Sequence, residues 1–413
     1  MAKRIVLADP RGFCAGVDRA ILTVQTILKA ASARVDGLPP VYVRRQIVHN
    51  RHVVEDLAAQ GAVFVQELAE IPDEAAAAGI PIVFSAHGVS PQVKAEAARR
   101  GMHVVDATCP LVSKVHREVL RFVREGYEII YIGHRGHDEA VGVVGEDPVH
   151  VHLIEHEADV DSLDFRPEQK LVLLTQTTLS IDETAGTIAA LKCRFPWMKE
   201  PPSSDICYAT SNRQAAVKLV AEQSDSVVIV GSANSSNSVR LMEVAQGALG
   251  ERGRAHRVDD ANELDPSWFD GVEAVGISSG ASVPDELVAG VIEALRAQGF
   301  TDVSTVETIK ENMHFVLPAE LRRKPSQARR WRDEAYSKPY VRVFNANDGA
   351  ATVPGIAAGE CSTLAVDGKV TLTGGSTVNV GADGYAAAGL SATGAPVGAV
   401  ALADRSRGLA ATS

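Results

Sequence analysis

Three cysteines recur along this chain at almost one spacing. Cys14, Cys109 and Cys207 are separated by 95 and 98 residues, and each stands where a strand-like run gives way to a helical pattern. Ile5-Val6-Leu7-Ala8 precedes Cys14, and Val17, Ala20, Ile21, Val24, Ile27 and Leu28 then fall on one helical face. Cys109 follows Val104-Val105-Asp106-Ala107-Thr108 and precedes Leu111, Val112, Val115, Val119 and Phe122. Cys207 follows Asp205-Ile206 and precedes Ala216, Leu219 and Val220. A thiol at a helix start meets the positive end of the dipole and unpaired N–H groups, which favour the thiolate that binds metal or attacks. Three thiolates without a fourth suit a metal centre that keeps one position open. Iron–sulfur clusters normally take four, so three would leave one iron free for a small ligand. Spacing alone does not choose iron–sulfur over zinc, and no local Cys-x-x-Cys decides it. The bland alternative is three buried cysteines capping helices.

Other polar clusters keep the same period. About a third of the way into each repeat an apolar run ends in Ile47-Val48-His49-Asn50, in Ile132-Gly133-His134-Arg135-Gly136-His137-Asp138-Glu139, and in Val230-Gly231-Ser232-Ala233-Asn234-Ser235-Ser236-Asn237. Near the end of each repeat come Ser85-Ala86-His87-Gly88, Thr175-Gln176-Thr177-Thr178, and Ser278-Ser279-Gly280-Ala281-Ser282. A lone histidine after a strand is more often structural than a ligand. His49, His87 and His137 in corresponding loops shift that balance toward one shared site. Ser235, Ser236, Asn237 and Ser282 add donors beside helix starts, a setting for phosphate oxygens that helix capping does not exclude. A Walker-type loop is absent, which argues against nucleoside triphosphate hydrolysis. Glu139 is the carboxylate singled out here, because enclosure with an anion would raise its pKa and let it donate protons. Its competitor is a solvated loop acid, and Asp138 beside it is assigned no role. Cys193 and Cys361 have no partner in the repeat and are not expected to be ligands.

Positioning these residues requires short β-branched runs alternating with amphipathic helices, as at Ile129–Ile132, Leu171–Leu174 and Val227–Val230. That alternation predicts an α/β fold with mostly parallel sheets, whose ligands gather at the carboxyl ends of strands. The repeat predicts a pseudo-threefold arrangement of three α/β units. The first spans residues 1–105 with Cys14, completed by 301–321. The second spans 106–205 with Cys109, and the third 206–300 with Cys207. A basic linker is expected over 322–344. The Gly/Ala/Ser/Thr-rich stretch 345–413 forms an appendage that suits either a flexible segment or a hairpin over Thr363–Leu372 with an Asp367-Gly368 turn. The 413 residues carry a net charge of −11, against nucleic-acid binding by charge. There is no signal-peptide pattern and no apolar run near the roughly 20 residues of a membrane helix. With five scattered cysteines, these features predict a cytoplasmic protein of thiols rather than disulfides.

Taken in order, RGFCAGVDRA, IVHNR, FSAHGVS, DATCPLV, IGHRGHDE, TQTTLS, DICYATSNRQ, SANSSNS and GASVPD resemble the 4-hydroxy-3-methylbut-2-enyl diphosphate reductase (LytB/IspH) family. The resemblance covers residues from about Lys3 to about Leu321. It implies a trefoil of three α/β units in which Cys14, Cys109 and Cys207 hold one [4Fe–4S] cluster per subunit. It further implies that His49, His87, His137, Ser235, Ser236, Asn237 and Ser282 grip a diphosphate, with Thr177 also at the substrate. Glu139 and Thr177, with His137 nearby, would relay protons to a leaving hydroxyl. The implied reaction is two-electron removal of that hydroxyl from an allylic diphosphate, giving isopentenyl and dimethylallyl diphosphates. Electrons would come from a ferredoxin or flavodoxin, since no flavin or nicotinamide motif is present. Val141 stands where many relatives carry a further acid, and the tail after about Leu321 has no counterpart in the family pattern. The competing readings are a non-catalytic iron–sulfur sensor or carrier, which has no need of the His/Ser/Asn loops, and a zinc hydrolase.

Overall fold

The computed structural model describes residues 3–31, 39–201 and 203–322, together with seven strands of the C-terminal region. The chain divides into two compact units, Met1–Arg322 and Arg323–Ser413. In the first unit, three parallel sheets are built from short apolar runs. β1 (Lys3–Asp9) opens the chain, followed by β2 (Val41–Arg44), β3 (Ala62–Val65), β4 (Pro81–Phe84) and β5 (His103–Asp106). Next come β6 (Tyr127–Ile132), β7 (Val151–Ile154) and β8 (Lys170–Thr175), then β9 (Ser226–Val230), β10 (Arg254–Val258), β11 (Ala274–Ser279) and β12 (Phe300–Glu307). The sheet orders are β3-β2-β4-β5, β7-β6-β8 and β10-β9-β11-β1-β12. All pairings within them are parallel.

The sheets redraw the unit borders expected from the repeat. β1 does not join the first unit's sheet, and β12 does not complete that unit. β1 lies between β11 and β12, pairing Arg4 with Ala274 on one side and with Asp302 on the other. The cause is its composition: Ile5, Val6, Leu7 and Ala8 are all buried, so β1 needs cover on both faces and neighbours on both edges. The helix that follows, α1 (Ala15–Ala31), instead packs Val17, Ile21, Val24 and Leu28 against Val41, Val43, Val83 and Val105 of the first unit. Cys14 therefore sits where the chain crosses from one unit to another.

The remaining helices are α2 (Arg51–Ala59), α3 (Asp73–Ala77), α4 (Pro91–Arg99), α5 (Pro110–Arg124), α6 (Asp138–Val144), α7 (Ile181–Arg194), α8 (Tyr208–Glu222), α9 (Ser236–Leu249) and α10 (Asp285–Ala297). Each covers a sheet with an apolar stripe. On α5, Val112, Val115, Val119 and Phe122 are buried at helical spacing, each contributing about 1.5–3 kcal/mol. Asn50, Ser180 and Ser235 cap α2, α7 and α9 with side-chain hydrogen bonds, each at the end of a short loop that follows a strand.

In the second unit the described residues are strands. Val341–Asn345, Glu360–Ala365, Gly384–Ala388, Val400–Asp404 and Ala410–Ala411 form one antiparallel sheet, and Gly368–Thr371 pairs with Thr377–Val380. Among the described residues the two arms of the hairpin expected across Asp367-Gly368 do not pair with each other. Its first arm pairs with Val341–Asn345 and Gly384–Ala388, and its second with Thr377–Val380, whose Val378 and Val380 extend the β-branched pattern. Asp367 itself and most of the expected basic linker lie outside the described residues.

Candidate active site

A cavity of about 670 Å³, including its mouth, lies at the carboxyl ends of all three sheets. Cys14, Cys109 and Cys207 line it, as do His49, His87, His137, Glu139, Thr177, Ser235, Ser236, Asn237 and Ser282. Every site residue expected from the sequence thus faces one space. Cys193 lies apart and exposed in the last turn of α7.

The three thiols share the cavity because each precedes a helix that starts there. Cys14 immediately precedes α1, Cys109 is the N-cap of α5, and Cys207 is the N-cap of α8, its sulfur accepting from the Thr210 N–H at 3.4 Å. Backbone bonds fix their depth: Cys14 N–H donates to Ala281 O, Cys109 N–H to Ala86 O and Cys207 N–H to Thr177 O. Gly16 makes room between two of the sulfurs. A Cβ there would lie 2.6 Å from Cys109 Sγ and 3.8 Å from Cys14 Sγ.

The helix starts do not by themselves yield thiolates. Burial first, then the neighbouring Cys14 charge, pushes the Cys109 thiol up to about 12 and the Cys207 thiol up to about 11. Both forces are what a bound cation would reverse. A convergent soft-donor set with space beside it fits an iron–sulfur centre held by three thiolates.

A second wall is made of hydrogen-bond donors. The His49 and His87 rings stack with centroids 3.9 Å apart, and His137 meets them edge-on at 5.1 and 5.8 Å. Burial, then the His49 and His137 rings, hold His87 well below its ordinary value, and burial with His49 holds His137 down to about 3. The Glu139 N–H donates to His137 Nδ1 at 3.1 Å, so the neutral ring carries its proton on Nε2. Asn237 Oδ1 accepts from the Ala281 N–H at 2.8 Å, which turns its amide NH₂ the other way. His87 Nδ1, His137 Nε2 and Asn237 Nδ2 are buried without a protein partner. With the start of α9 at Ser235–Asn237, this wall suits a polyanion.

Glu139 is 1% exposed. The Thr177 N–H donates to its Oε1 at 2.7 Å and the Thr177 hydroxyl to its Oε2 at 2.9 Å. Burial raises its pKa to about 7 against these two bonds, with Asp205 adding to the rise. The carboxyl thus sits near its midpoint at neutral pH, as a proton donor should. Val141, two residues on, is exposed and outside the cavity.

Asp138 corrects the sequence reading, which gave it no role. Its carboxylate pairs with the Arg45 guanidinium and lies 3.5 Å from His49 Nε2. Burial works to raise its pKa, yet bonding to His49 and the hydrogen bond and charge of Arg45 bring it below the ordinary range. Arg45 bonds Glu67 as well and holds a positive φ of 55°, so His49 is braced from behind by a network spanning three elements. No local pattern announces it, because Arg45 and Asp138 are 93 residues apart. Thr178 was also missed, although it adjoins Thr177. It lines the cavity and donates to Ser236 Oγ at 3.2 Å.

Parallel α/β units that aim three thiols and a donor wall into one cavity define an α/β class of protein with a site suited to a soft metal centre beside an anion. A family model described as "LytB protein" matches residues 5–296, and the chain belongs to that family. It is 84% identical over 329 residues to the 4-hydroxy-3-methylbut-2-enyl diphosphate reductase of Bifidobacterium longum (strain NCC 2705), covering 78% of this chain and 94% of that protein. Among solved structures it resembles the E-1-hydroxy-2-methyl-but-2-enyl-4-diphosphate reductase of Plasmodium falciparum, with a TM-score of 0.72 and 36% identity over 78% of this chain and 97% of the other. A second, described as the terminal enzyme of the non-mevalonate pathway, aligns with a TM-score of 0.50 and 29% identity over 71% of this chain and 99% of the other.

Proposed function

We propose that this chain catalyses the reductive dehydroxylation of (E)-4-hydroxy-3-methylbut-2-enyl diphosphate, the last reaction of the non-mevalonate isoprenoid pathway. Two electrons and two protons enter, the allylic C–O bond breaks, and water leaves. The products are isopentenyl and dimethylallyl diphosphates. One observation carries this reading: a single cavity combines three thiols, unpartnered buried donors and a carboxyl whose pKa is about 7.

Cys14, Cys109 and Cys207 would hold a [4Fe–4S] cluster. When bound, such a cluster supplies single electrons and one iron lacking a thiolate. His49, His87, His137, Ser235, Ser236, Asn237 and Ser282 bind the diphosphate through imidazole, hydroxyl, amide and α9 N–H donors. No lysine or arginine lines the cavity among the described residues, so the anion is met by dipoles and by imidazoles that can protonate. Protonated Glu139 passes its proton to Thr177 Oγ1, and the Thr177 hydroxyl passes its own to the departing hydroxyl. Glu139 and Thr177 are themselves almost fully buried, which shields that transfer from bulk water.

Electrons come from a small carrier of the ferredoxin or flavodoxin class, and the site of action is the cytoplasm. Among the described residues no helix is long and apolar enough to cross a membrane. The test is anaerobic purification, iron and sulfide analysis, and turnover of the allylic diphosphate with a chemical reductant. We expect a brown protein that releases both products. A colourless zinc-loaded protein, or a brown one that binds the substrate without reducing it, refutes the proposal.

A further inference from the structure

The largest fully buried side chain of the described residues is a charged one, Arg213 of α8, with none of its surface exposed. Burying a guanidinium is costly unless every donor finds an acceptor. Here the acceptors are carbonyls of the turn just before Cys14. Arg213 Nη2 donates to Gly12 O at 2.8 Å and, at 3.5 Å, to Arg11 O and Phe13 O, while Nε donates to Gly12 O at 3.2 Å. Nη1 donates to Ala209 O and to both carboxylate oxygens of Glu311, at 3.0 and 3.2 Å. α8 begins at Cys207, so one helix carries one cysteine and clasps the turn carrying another.

Glu311 arrives from outside this pair of elements, on the irregular stretch after β12. It also accepts from Asn212 Nδ2 at 3.0 Å. Its carboxylate is the only acidic partner of Arg213 among the described residues, and it neutralises a buried positive charge next to the thiol site.

We propose that Arg213, locked by Glu311, is the positioning residue that fixes the Cys14 turn against Cys207, and that Glu311 balances the charge felt by a cluster held there. The inference rests on the iron–sulfur reading above. The potential of a buried cluster follows the net charge around it, and adding an electron is favoured by an uncompensated cation.

The test uses the full chain purified anaerobically, wild type beside Glu311→Gln and Glu311→Asp. Both variants leave Arg213 its carbonyl acceptors at Arg11, Gly12, Phe13 and Ala209, and circular dichroism with thermal melting checks that each variant folds before the comparison is made. We expect Glu311→Gln to contain wild-type iron and sulfide. Its reduction midpoint, followed by absorbance in a redox titration, should move upward, and it should lose the cluster in air several-fold faster. Glu311→Asp restores the charge but not the reach, so its midpoint returns toward wild type while its cluster remains short-lived. A wild-type midpoint in Glu311→Gln overturns the charge balance, and a wild-type lifetime in both variants overturns the positioning role. Failure of the underlying reading looks different, because a wild-type chain without iron and sulfide has no midpoint to measure.

Discussion

Replacing Glu139 with Gln tests the proton relay and the burial of the carboxyl at once. The amide can still accept the Thr177 N–H through its oxygen, but its NH₂ then faces the Thr177 hydroxyl as a donor and brings no transferable proton. Loss of a positioned general acid lowers kcat by about 10²–10⁴-fold with little change in substrate binding. The same substitution has a stability signature. Glu139 has its folded pKa raised from 4.5 to about 7, so between those values the folded chain holds a proton that the unfolded chain has released. Below about pH 4.5 the group costs nothing. As pH rises the folded state is progressively penalised, and above about pH 7 the penalty is complete, at about 3 kcal/mol. Gln removes it. Thermal unfolding of the cluster-free chain should therefore show Glu139→Gln gaining stability relative to wild type between pH 5 and pH 8, and the kinetic pH profile should lose its fall above neutrality. A stability difference independent of pH, or unchanged kcat, would refute the reasoning.

Diphosphate binding should draw protons into the site. His87 and His137 are held neutral in the free cavity, and a polyanion beside them raises both; calorimetry in buffers of different ionisation enthalpy should register net proton uptake near pH 6.5, and none would contradict the assignment. Gly16→Ala gains helix propensity but sets its methyl 2.6 Å from Cys109 Sγ, so the Cys109 side chain must shift even in the cluster-free chain. It should cut iron content severely, because its methyl occupies the space beside Cys109 Sγ; full loading would remove the crowding argument. Cys14→Ser should lose or degrade the cluster, and an intact four-iron spectrum with full activity would show that Cys14 is not a ligand.

Much of the site was legible because its parts are local. A cysteine before a helix, or a histidine after an apolar run, can be seen within ten residues, and the near-constant spacing signals that the parts share a place. What escaped notice depends on partners far apart in sequence. The run Ile5–Ala8 reads as a buried strand, but nothing in it names β11 and β12 as neighbours rather than β2. Arg45 and Asp138, and likewise Arg213 and Glu311, are ordinary charged residues until the fold brings each pair together and, for Arg213, removes the charge from water. The expectation of lowered cysteine pKa values failed for a related reason. Helix starts are visible in sequence, whereas the depth of burial and the crowding of three sulfurs are properties of the assembled cavity.

The placement of β1 has a consequence for how the protein is made. The strand leading to Cys14 is translated long before both its sheet neighbours, β11 and β12, which lie near the end of the first unit. The Gly12 N–H waits for Ser279 Oγ, and the Cys14 N–H for Ala281 O. Until those residues emerge, the first thiol has no fixed address, while Cys109 and its helix can already be in place. A nascent chain therefore cannot present three thiols in register before β11 and β12 are made, and any metal the three thiols hold would be loaded after synthesis of the unit, as its closing act.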